Sequence, residues 1–123
     1  MKIFTLIYIL NASLLLMHEI ESAYVKEWEI LRLPGGITGF LLLHIPIVSV
    51  LFWGAAIIEK QTTTVAIIAL IAGAGGLIPI IIHKIIVKRK GYFESLISNI
   101  IIISNAITGI LTAIIAMSML AGK

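Results

Sequence analysis

Cysteine is absent from the 123 residues, so disulfides, thiolate metal ligands and a cysteine nucleophile are excluded. Aspartate is absent too, which leaves carboxylate chemistry to Glu19, Glu21, Glu27, Glu29, Glu59 and Glu94. Charge is scarce: 12% of residues carry one, against about 25% in a soluble domain. The net charge of +3 is small and dispersed, which argues against a nucleic-acid partner. There is no internal repeat and no low-complexity linker. Polar residues are too few to clothe a soluble fold of this length.

What is present is hydrocarbon. Hydrophobic residues make up 60% of the chain, and the mean hydropathy is +1.16. The expected solvent is a lipid bilayer, and the expected architecture is all-α: one integral membrane domain over residues 1–123, built as a four-helix bundle. The density of isoleucine has a prokaryotic cast, so the inner (plasma) membrane of a bacterium is the expected location.

Four spans are predicted, at about residues 3–25, 37–58, 65–87 and 95–120. Residues 3–17 are apolar but short of the roughly 20 needed to cross a bilayer. The helix must therefore continue to about Val25, which brings His18, Glu19 and Glu21 to the membrane interface. No small-x-small cleavage pattern follows Met17, as a signal peptide would require. Leu33-Pro34-Gly35-Gly36 turns the chain, with Trp28 as an interfacial anchor. The second span carries His44, Pro46 and Ser49. The third carries Gly73, Gly75 and Gly76, small residues that allow close helix approach or a homo-oligomer contact, then Pro79 as a kink and His83 one turn beyond. Four spans put both termini on one side. Lys26, Arg32, Lys84, Lys88, Arg89 and Lys90 lie on the other, against Lys2, Lys60 and Lys123 on the terminal side. The positive-inside rule then places the hairpin side in the cytoplasm and the termini outside.

Four of the six acids fall in residues 18–32, HEIESAYVKEWEILR, with His18 and Trp28. A polar cluster at the end of an apolar helix is costly in lipid and reads as a functional site. His44 follows Gly36 by eight residues, about 12 Å into the bilayer, and His83 precedes Lys88 by five, about 8 Å. All three histidines thus belong to one leaflet, with Asn99 at a similar level. His18 and Glu21, at i and i+3, share a helix face, a spacing that helix bundles use for metal ligands. With His44 and His83 they would form a nitrogen-and-oxygen site for a divalent metal such as zinc, iron, manganese or nickel. The same residues suit acid–base work, with Glu21 as base and His18 as proton shuttle.

Plainer roles exist for each feature. A membrane histidine often just hydrogen-bonds a neighbouring helix. Glu27 and Glu29 are expected in solvated pairs with Lys26 and Arg32. Ser98, Asn105 and Thr112 recur every seven residues beside Thr108, a stripe that reads as helix-packing glue before it reads as an ion path. His18-Glu19 does not open a zincin HExxH motif, because Ser22 occupies the second histidine's place. The glycine run lacks the residues of a P-loop.

The pattern His18-Glu19-Ile20-Glu21, Lys26-Glu27-Trp28-Glu29, Leu33-Pro34-Gly35-Gly36 and Leu43-His44 resembles small bacterial membrane proteins of unknown function similar to the HXXEE type. Ser22 stands where that motif has its second glutamate. The resemblance covers residues 15–48 and implies a four- or five-helix membrane protein whose polar residues bind a metal or act as catalysts.

The leading expectation is a membrane protein with a cytoplasmic-leaflet site at His18, Glu21, His44 and His83, acting on a lipid-like or small apolar substrate. The alternatives are an oligomeric transporter or channel-like subunit, joined through the helix of Gly73 to Gly76, and a non-catalytic accessory protein.

Overall fold

A computed structural model of the chain describes residues 2–87 and 94–122. Every regular element among them is helical: α1 (Ile3–Tyr24), a short α2 (Glu27–Ile30), α3 (Gly36–Ile57), α4 (Thr63–Ile80) and α5 (Leu96–Ala121). A 3-10 turn, Ile58–Lys60, extends α3, and a π-helical stretch, Ile81–Val87, extends α4. Four of these segments are long and apolar enough to cross a membrane. Lys88, Arg89 and Lys90, the basic run that carries much of the topology signal, lie outside the described residues.

The helix ends follow from local chemistry. The side chains of Thr62 and Ser95 cap α4 and α5, accepting the N–H groups of Val65 and Ser98. Between α1 and α3 the chain reverses through left-handed residues: Lys26 (φ 54°), Arg32 (φ 56°), Gly35 (φ 92°) and Gly36 (φ 56°). The glycines take that region without cost, whereas Lys26 and Arg32 are held in it by the surrounding turn.

α1, α4 and α5 form the packed heart of the bundle, and α3 lies against its edge. Only 17% of the most apolar window of the α3 segment is buried, against 39–44% in the other three. Gly73 and Gly109 let α4 and α5 touch backbone to backbone. A Cβ on Gly73 would stand 2.7 Å from the Gly109 carbonyl oxygen, and one on Gly76 would stand 2.8 Å from that of Asn105. These two glycines are therefore spent within the chain, while Gly75 is half-buried beside Leu15.

The polar stripe of α5 is spent within the chain as well. Asn105 Nδ2 donates to Asn11 Oδ1 (2.9 Å) and to the Asn11 carbonyl (3.1 Å), and Asn11 Nδ2 donates to the Ala72 carbonyl (2.9 Å). Thr108 donates to Asn11 Oδ1 and Thr112 to the Thr108 carbonyl. Asn11, fully buried, thus ties three helices together, the role of packing glue. At the terminal end, Thr5 donates to Glu59, and Tyr8 reaches the Leu51 carbonyl (3.0 Å) across Gly54. Large side chains such as Ile3, Leu42, Ile71 and Ile103 are exposed around the outside, the surface that lipid would cover.

Candidate functional site: a buried histidine–glutamate cluster

The last two turns of α1 bury His18 and Ser22, whose side chains lie 3.2 Å apart (Nε2 to Oγ). The left-handed turn at Lys26 then folds α2 back, and its first residue, Glu27, is buried against the end of the bundle with 7% of its surface exposed. From α4, Pro79 supplies no N–H to the helix ladder, and the chain passes into a π-helix at Ile81. His83 sits in that widened turn and is also buried.

His83 Nε2 lies 3.0 Å from Glu27 Oε1. The His18 and His83 rings meet at a centroid separation of 4.9 Å, tilted by 58°. One ligating atom from each of His18, Glu27 and His83 falls within 4.8 Å of the other two. Burial works to raise the Glu27 carboxyl, but hydrogen bonds from His83 and Ser22 and the nearby imidazoles outweigh it. The carboxylate therefore stays below its ordinary range and ionised.

A second pair occupies another face of α1. Glu19, about 100° around the helix from His18, reaches α3, where its Oε2 lies 2.7 Å from His44 Nε2. His44 Nδ1 lies 2.6 Å from the Phe40 carbonyl oxygen. A carbonyl can only accept, so Nδ1 carries a proton. The His44 ring stacks on Phe40 at 4.0 Å, and Phe40 meets Trp28 at 5.3 Å.

Of the residues expected in one site, the structure thus brings His18 and His83 together. His44 pairs with Glu19 instead. Glu21 is outside the three-residue cluster, and its buried Oε2 makes no hydrogen bond among the described residues. Glu27, expected in a solvated pair, is the buried carboxylate of the cluster. Glu29 does keep the expected exposed pair with Lys26, at 3.9 Å. The helical spacing of His18 and Glu21 concealed this outcome, because the partner comes from the far side of a reversal that the sequence does not mark. Two imidazoles and a carboxylate, all buried, could hold a metal. This donor set serves zinc with a fourth position left open, and it also serves non-haem iron.

A small bundle of four apolar helices, with a buried histidine–glutamate cluster at one end, is the class that fold and site define. The chain belongs to a family of unknown function, DUF6713, whose family model matches residues 4–119. That stretch holds all the residues of both polar groups. The likeness to the HXXEE type rests on the quoted motifs alone. No curated protein and no solved structure matches the chain.

Proposed function

We propose that this is an integral membrane protein of a bacterial inner membrane that binds one divalent metal at His18, Glu27 and His83. The metal would be zinc, iron or manganese, and the substrate lipid-like or small and apolar. The observation that carries this reading is the convergence, within 4.8 Å, of three buried ligating atoms from three separate elements. An ordinary interfacial ion pair would not require a second imidazole against it, nor so deep a burial of the carboxylate. With a metal bound, the fourth position would offer Lewis-acid chemistry or an activated water. Glu27 and the two histidines would hold its charge, and Ser22 would orient His18. The HXXEE-like motif supports a polar site at the end of the first helix.

Elemental analysis of protein purified in mild detergent, without a metal-affinity tag or chelator, tests the proposal. About one equivalent of a single metal is expected, as for a single-ion site. It should be lost in His18→Ala, His83→Ala and Glu27→Gln, and kept in His44→Ala. A folded wild type with no metal above background, or a metal lost only in His44→Ala, would overturn the assignment.

A further inference from the structure

A cleft of about 570 Å³ runs between α3 and α4, with Leu15 of α1 as its floor. Pro46, Val50 and Leu51 form one wall, and Ala72, Gly75 and Ile78 the other. Its volume lies within the roughly 300–1,000 Å³ of small-molecule sites. Ile47, Ile71 and Ile78 on its rim are exposed on the outer face of the bundle, so a molecule enters from the lipid rather than from water. The shallow burial of α3 leaves this seam unfilled.

Amid this hydrocarbon lining stands a single carboxyl group, that of Glu19. One of its oxygens is engaged by His44, and the carboxyl makes no further hydrogen bond among the described residues. His44 is held from its other side by the Phe40 carbonyl, so the Glu19 and His44 side chains already serve as each other's partner. No other polar side chain lines the cleft and Glu19 is already paired with His44, so a charged headgroup in this hydrocarbon would have no partner of its own, which is costly. A neutral hydroxyl, donating to the second Glu19 oxygen, leaves no charge unmatched.

We infer that the cleft holds a single-chain amphiphile with a neutral hydroxyl head, its chain between α3 and α4 and its hydroxyl on Glu19. This names the class of apolar substrate and rests on the membrane placement proposed above, but not on metal binding. The two ideas therefore fail separately.

The test is photo-crosslinking of the full-length protein in lipid nanodiscs. The probe is a long-chain primary alcohol bearing a diazirine near the far end of its chain. Matched probes carry a carboxylic acid, an amine or no head at all. The alcohol should label residues on the facing sides of α3 and α4, and unlabelled alcohol should compete. Labelling should fall roughly tenfold in Glu19→Leu, the scale of one lost hydrogen bond to a buried acceptor. It should fall similarly in Ala74→Phe, which blocks the cleft from an exposed position and therefore leaves folding intact. Metal content, measured on the same samples, should not change in either variant. Equal labelling by the headless probe with no effect of Ala74→Phe would reduce the cleft to a non-specific lipid-facing groove and overturn the inference. Stronger labelling by the acid or the amine would overturn the hydroxyl assignment. If Glu19→Leu does not fold, Ala74→Phe together with the ranking of the probes decides.

Discussion

Ser22 has no charge and lies outside the proposed metal-ligand set, yet it is fully buried between the groups that make up the cluster. Its hydroxyl stands 3.2 Å from His18 Nε2 and favours the ionised form of Glu27. Outer partners of this kind fix ligand orientation, so Ser22→Ala should weaken metal affinity roughly tenfold while leaving the fold intact, measured by competition with a chelator. Glu27 makes a second prediction. Its carboxyl lies below the ordinary value of 4.5 in the folded protein. A depressed carboxylate contributes stability that is present above the unfolded pKa and is lost as pH falls through the folded one. The melting temperature of the metal-free protein should therefore drop on acidification below pH 4.5, and Glu27→Gln should flatten that part of the profile.

Among the elements, α4 carries the most constraint. One side of it presents Gly73 and Gly76 to α5, and its far end supplies His83 through the π-helical turn. Gly73→Val would drive a branched side chain into the Gly109 carbonyl and the Ala113 backbone, atoms that cannot step aside. It should cost about 3 kcal/mol or more, the upper end of overpacking penalties, read as a fall in melting temperature in detergent. Asn11→Ala should cost about 1–2 kcal/mol, because hydrogen bonds between membrane helices are individually modest and Asn11 makes several. Both features were half legible. The glycines and the stripe of Ser98, Asn105 and Thr112 announced close packing, because small and weakly polar residues at helical spacing have few other uses in lipid. Which helix they pack against was not legible, since a spacing describes one helix and not its neighbour. Pro79 likewise announced a disturbance at the right place, but the π-helical form that aims His83 depends on what α4 meets there.

For the whole molecule, orientation can be tested directly because the chain has no cysteine. With the positive-inside bias, Glu29→Cys should react with an impermeant maleimide only from the cytoplasmic side, and Lys60→Cys only from outside. Both positions are exposed at opposite ends of the bundle. The reverse labelling would invert the topology and move the cluster to the outer leaflet.

The sequence by itself determined the solvent and the number of spans. Hydrocarbon in four long runs, with most of the charge between them, leaves the backbone no way to satisfy its hydrogen bonds in lipid except as helices. It also put His18, His44 and His83 toward the same end of the bundle. Only the tertiary structure decided their company. Glu27 replaces Glu21 because one left-handed residue, Lys26, folds a four-residue helix back onto the bundle. His44 turns to Glu19 because α3 sits against a different face of α1 from α4. Both choices follow from rotations and reversals in three dimensions, for which a linear spacing of polar residues carries no signal.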